Sequence, residues 1–143
     1  EHGRRSAEMS APVFERLGLE AEREPVLHAV RWHNSVCSDT PVLCVLRDAD
    51  MLDGLGAIGL VRALMSKHML PPYDPDVVFE RQLHWPPELV ADQICFQMTW
   101  IERMNTETGR KLAAERIEFM RGFAAQLWHE VTVDGDRECF FVD

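Results

Sequence analysis

The sequence is short of several features that would each have pointed to a function. It sets 15 lysines and arginines against 24 aspartates and glutamates, a formal charge of -9. A chain so poor in positive charge has no broad cationic field with which to displace counterions from a polyanion, so no nucleic-acid polymer is expected as a partner. No uncharged apolar run is long enough to span a bilayer, and a membrane is not expected as its setting. Cys37, Cys44, Cys95 and Cys139 include no Cys-x-x-Cys pair. That spacing fits neither a zinc finger nor the framework of a small disulfide-rich domain, and reduced thiols in a cytoplasmic protein are expected. Internal repeats and low-complexity tracts are absent, and residues 1–20 carry charges throughout, without an apolar leader-type stretch.

What is present is the composition of an ordinary folded domain. The chain has 143 residues, 46% of them hydrophobic and 27% charged, which predicts one domain over 1–143 with a core of its own. Its apolar periodicity is helical. Ala7, Ala11, Phe14 and Leu17 predict a helix over 6–17, with Gly18 placed to end it. Val26, Val30 and His33 share a stripe of a second helix over 22–34, so His33 points with the core residues. Thr40 offers an N-cap and Pro41 a first helical position for a third helix, on which Leu43, Leu46, Asp50 and Asp53 share a face.

Gly54 and Gly56 interrupt that run, and 57–68 reads as helix until Pro71 and Pro72 forbid continuation. Residues 69–87, with five prolines, form the main irregular connection. Val90, Ile94, Met98 and Ile101 then mark one helix, and Leu112, Met120, Phe123 and Leu127 another starting near Asn105 or Thr106, the two forming a helical hairpin. Val131–Val133 and Cys139–Val142, around Gly135, suggest a small terminal β-hairpin. The fold class is therefore all-α, a bundle of about five to seven helices with at most that hairpin added. Phe96, Trp100, Phe123 and Trp128 exceed what one small core buries, which predicts a homo-oligomer.

Two constellations carry chemistry. Gly54-Leu55-Gly56-Ala57-Ile58-Gly59 matches G-x-G-x-x-G, but a dinucleotide site needs those glycines directly after a strand. Here seven residues separate the apolar Val42–Leu46 from Gly54, and Asp48, Asp50 and Asp53 among them would repel a pyrophosphate. The glycines are better read as a place where two helices approach closely. Asp50 and Asp53, in contrast, end an apolar stripe with Asp48 close by; either they form a solvated face or, as carboxylates on an inward face, they need a cation, a proton or hydrogen-bond donors. Together with the inward His33 they form a nitrogen and oxygen donor set suited to Mn, Fe, Zn or Ni. His28, His68, His84 and His129 stand singly and are not assigned, and Met98, Met104 and Met120 read as core filler.

The run Asp48-Ala49-Asp50-Met51-Leu52-Asp53-Gly54-Leu55-Gly56-Ala57-Ile58-Gly59-Leu60-Val61-Arg62, with His33-Asn34 before it, resembles the bacterial HD-domain superfamily of metal-dependent phosphohydrolases. The stretch from His2 to Ala7 resembles the opening of a middle helix in that group, and Met104 to Phe123 its C-terminal helix. The resemblance implies an HD-domain-like helical bundle that binds divalent metal (Mn, Fe, Ni, Zn or Mg) and hydrolyses a phosphate ester of a nucleotide or other phosphorylated small molecule. Carried over by position, it implies His2, His33 and Asp50 as metal ligands. Asp48 and Asp53 would orient ligands or water, and Arg62 would meet a phosphate oxygen or pair with one of these aspartates. The family's adjacent His-Asp doublet is missing: the histidines are followed by Gly3, Ala29, Asn34, Met69, Trp85 and Glu130. Helices carrying the doublet are expected upstream of this sequence. The alternative is a catalytically degenerate HD-like helical protein acting in self-association or partner binding.

Overall fold

The computed structural model describes residues 1–35, 39–73 and 86–131, and the six α-helices among them obey the punctuation of the sequence. α1 (His2–Leu17) ends at Gly18, whose left-handed backbone turns the chain directly into α2 (Glu20–Trp32). The two helices lie against each other along their smallest residues, the buried Gly3 and Ala7 of α1 and Ala29 of α2. α3 (Pro41–Asp53) starts where the Thr40–Pro41 signal predicts, with the Thr40 hydroxyl oxygen accepting a hydrogen bond from the Leu43 N–H at 3.2 Å. α4 (Gly56–Ser66) follows after a corner of two residues.

That corner accounts for the glycine run. A β-carbon at Gly59 would stand 2.2 Å from the carbonyl oxygen of Gly54, closer than any side chain can come. The segment ahead of the glycines, Val42 to Leu46, is helix and not strand. The pattern is thus a close-packed helix corner, and the dinucleotide reading lacks the strand it needs.

α5 (Val90–Met98) opens with two N–H groups donating to the Pro71 and Pro72 carbonyls and with the Asp92 carboxylate accepting from the N–H groups of Glu88 and Leu89. It runs into a 3₁₀ turn over Thr99–Arg103, and α6 (Glu107–Val131) closes the described structure. The last two helices were expected to pair with one another as a hairpin. Only α6 is long, at 25 residues against nine for α5, and α6 lies most extensively along α4. The core is formed by Leu55, Leu60 and Ala63, by Val90, Ile94 and Met98, by Met104, and by Ala113, Ile117, Met120 and Ala124 of α6. The expected α6 stripe is corrected here: Leu112 and Phe123 are exposed, and the buried stripe runs through Gly109, Ala113, Ile117, Met120 and Ala124. Small residues won that face because they let α6 approach α3 and α4 closely. Met98, Met104 and Met120 are buried among apolar neighbours, as their reading as core filler required.

Among the described residues the fold is all-helical, without a strand, and no helix is long and apolar enough to cross a membrane. The expected β-hairpin and most of the irregular connection, residues 74–85, lie outside the described residues.

Candidate functional site

Among the described residues a cleft of about 980 Å³ opens between the helices. One wall is made by the end of α2 (His33, with Asn34 and Ser35 after it) and by Arg47, Asp50 and Met51 of α3. α4 adds Arg62, Ala63, Met65 and Ser66, and the far wall carries Phe96, Gln97, Trp100, Arg103 and Asn105. Three arginines therefore line the cleft with one aspartate, Arg62 being offset by Asp53 beside it, in a chain whose overall charge is -9. Low-dielectric walls focus such a local excess into a positive potential that attracts anions. Arginine also presents a planar fork of donors matched to phosphate or carboxylate oxygens.

His33 sits just beyond the last residue of α2 and is half-buried. Its Nδ1 donates to the Val30 carbonyl oxygen at 2.7 Å, which in the neutral ring leaves the lone pair on Nε2. A hydrogen bond of this kind fixes the tautomer and orientation of a histidine for use at its other nitrogen. His2 begins α1 and reaches the same place: its ring centroid is 5.6 Å from that of His33, edge to face. Gly3 makes this possible, since a β-carbon there would stand 2.2 Å from the Arg31 carbonyl oxygen near the end of α2. The structure thus brings His2 to His33, and His33 and Asp50 to one cleft. No cluster of three His, Cys, Asp or Glu groups able to hold a metal occurs among the described residues.

The three aspartates have separate fates. Asp50 and Asp53, expected on the inward stripe, are exposed, and the buried one is Asp48, at 3% exposure. Asp48 accepts four hydrogen bonds, from the N–H and Nδ2 of Asn105 at 2.7 and 2.8 Å and from the N–H and hydroxyl of Thr106 at 2.8 and 2.6 Å. The Thr106 hydroxyl oxygen in turn accepts from the Gly109 N–H at 2.9 Å, capping α6. Gly109 has no side chain because a β-carbon there would strike the Asp48 carboxylate. Burial pushes the Asp48 carboxyl up, the largest single influence on it, but the four donors of Asn105 and Thr106 together outweigh it and hold the group below the usual carboxylate range. Asp48 therefore does not orient ligands or water directly. It pins α3 to the start of α6 and fixes Asn105, which lines the cleft.

Asp53 pairs with Arg62, so of the two roles implied for Arg62 the pairing with an aspartate is the one present, while the residue still forms part of the cleft. Arg103 lies over the Phe96 ring, 5.7 Å from its centroid. Arg47, Gln97, Trp100, Arg103 and Asn105 went unassigned in the sequence, where nothing in their spacing marks them. They come together only when the Thr99–Arg103 turn swings the chain back towards α3. His28, left unassigned, pairs with Asp39 at 3.0 Å, and this hydrogen bond holds the Asp39 carboxyl below its ordinary value.

No family model matches the chain, and no curated protein matches it.

Proposed function

We propose that the chain is a metal-dependent phosphohydrolase whose cleft takes the phosphate ester of a nucleotide or other phosphorylated small molecule. The observation that carries the proposal is the meeting of Arg47, Arg62 and Arg103 with His33 and Asp50 in one cleft of an otherwise acidic molecule. The arginines neutralise the phosphate, and Asn105, held by Asp48, gives the wall a fixed polar group. His33, Asp50 and His2 are the residues that would face a divalent cation, with His33 already oriented through Nδ1. Such a cation supplies hydroxide near neutral pH. Among the described residues these three side chains do not by themselves form a closed cluster of metal ligands.

The test measures phosphate release from p-nitrophenyl phosphate with added Mn, Fe, Ni, Zn or Mg, alongside metal content by elemental analysis. His33→Ala and Asp50→Ala are each expected to lower metal-dependent turnover at least about a hundredfold while the helical circular dichroism stays unchanged. Full activity in both variants would refute the proposal.

A second reading, a degenerate HD-like helical protein acting in self-association or partner binding, is favoured by a different observation. Ile58, Val61 and Met65 lie exposed on one face of α4, at 59, 60 and 73%. Concentration-dependent mass in sedimentation equilibrium, lost on Val61→Glu, together with no turnover on any ester, would select it.

A further inference from the structure

One wall of the cleft holds a polar group that the fold leaves incomplete. Gln97 of α5 is 5% exposed, and its Oε1 is sealed from solvent without a hydrogen-bond partner. A buried amide oxygen left in this state costs about 1–3 kcal/mol. The residue nonetheless forms part of the lining of the cleft that also holds His33, Asp50 and Trp100. Buried polar groups are ordinarily paired, and an acceptor left over in the wall of a binding cleft is completed by whatever binds there. The last torsion of a glutamine side chain is soft, so the terminal amide can re-orient about that single bond when a ligand occupies the cleft.

We infer that Gln97 is a specificity-determining residue: its Oε1 accepts a hydrogen bond from a hydroxyl or amino group on the organic part of the ligand. The inference rests on the proposal that the cleft binds a phosphate ester and adds which esters it prefers. Arg47 and Arg103 take the anion, with Arg62 beside them held by Asp53, and Trp100, Met51 and Met65 give the remainder of the ligand an apolar surface. An ester whose organic part has no donor leaves the Gln97 oxygen as it was. An ester that carries a donor satisfies it, and a site built to make such a bond discriminates strongly against analogues that lack the group.

Gln93, one turn earlier on the same helix, supplies the control. It is equally buried and its Oε1 is also unpartnered, but it does not line the cleft.

The experiment is isothermal titration of the full chain, without requiring turnover, using two sets of probes. Methyl phosphate and phenyl phosphate have no donor outside the phosphate; glycerol phosphate, phosphoethanolamine and a ribose phosphate do. At least one donor-bearing ester is expected to bind about tenfold or more tightly than the donor-free pair. Gln97→Met, close in volume, is expected to abolish that preference, to leave the donor-free esters within about twofold, and to keep or raise Tm, because it removes an unpaired oxygen. Gln93→Met is expected to leave the preference intact. The inference is overturned if wild type shows no preference, if Gln93→Met removes it as well, or if Gln97→Met weakens both sets equally. Selective binding of donor-bearing esters that are never hydrolysed would support this inference while refuting the phosphohydrolase proposal.

Discussion

Replacing Asp48 should cost more than replacing any other aspartate among the described residues. Asp48→Ala removes one carboxylate and strands four donors, two from Asn105 and two from Thr106, at a position only 3% exposed. A hydrogen bond to a charged acceptor contributes about 1.5–3 kcal/mol, but the four share one acceptor and water enters part of the vacated space, so the terms do not add. Removing a buried charged partner in this way costs about 3–5 kcal/mol. Against a total stability of about 5–15 kcal/mol for a domain, that is a large share. Asp48→Asn keeps an oxygen for one residue but turns an NH2 towards donors of the other, and about 2 kcal/mol is expected.

Urea unfolding followed by helical circular dichroism gives both values, provided the m-value stays constant across the variants. The pH dependence has a definite sign. The folded carboxyl titrates below the unfolded value of about 3.9. Its stabilisation is therefore complete above about pH 5 and is lost as pH falls through the lower folded-state value. The gap between wild type and Asp48→Asn should be flat from about pH 5 to 7 and narrow in more acidic solution. A loss below about 1 kcal/mol for Asp48→Ala, or a gap that widens on acidification, would show that the four hydrogen bonds do not hold α3 to α6.

Two further outcomes test other parts of the structure. Gly59→Ala should destabilise the chain by about 3 kcal/mol or more, since the added carbon meets the Gly54 carbonyl. Gly122→Ala, on an exposed part of α6 with open space around it, should instead stabilise by about 0.5–1 kcal/mol through helix propensity, and urea midpoints of the same sign for both would sink the packing argument. Burial, with the nearby Asp92 charge, pushes the Cys95 thiol up to about 12, so mass spectrometry after brief alkylation near pH 8 should find Cys95 unmodified in the folded chain and labelled in urea. Rapid native labelling of Cys95 would contradict that burial.

The helices were legible wherever the chain carries local signals. Thr40-Pro41 starts α3 and Gly18 ends α1, because caps and turns act within a few residues and need no knowledge of the rest. Faces were less legible. The spacing of Leu43, Leu46, Asp50 and Asp53 placed the wrong aspartates inward, since periodicity finds an apolar stripe but not a carboxylate drawn in by donors 57 residues away. Likewise Leu112 and Phe123 outweighed the small residues of α6 on any hydropathy count, whereas the helix was seated by how closely Gly109 and Ala113 allow it to approach. His33 and Asp50 were singled out by their stripes as well as by resemblance, His2 and Arg62 by resemblance alone. The cleft that holds His33, Asp50 and Arg62, and the His2–His33 contact, emerged only from the folded chain. Arg47, Arg103 and Gln97 carry no sequence signal at all, because the three-dimensional course of the Thr99–Arg103 turn brings them to the site.

The tie between Asp48 and the Asn105–Thr106 pair also governs the order of events in time. α1 meets α2, and α2 meets α3, through short excursions of the chain, but this tie joins positions 57 and 58 apart. It forms only after a long loop has closed, so on the folding path it follows the local helix pairs. The cleft, lined by residues of α2 to α4 and by residues 96–105, is then expected to assemble after those local pairs. A ligand that touches both walls works as a temporary cross-link: it slows unfolding more than it speeds folding, and its residence in the cleft prolongs the life of the folded molecule.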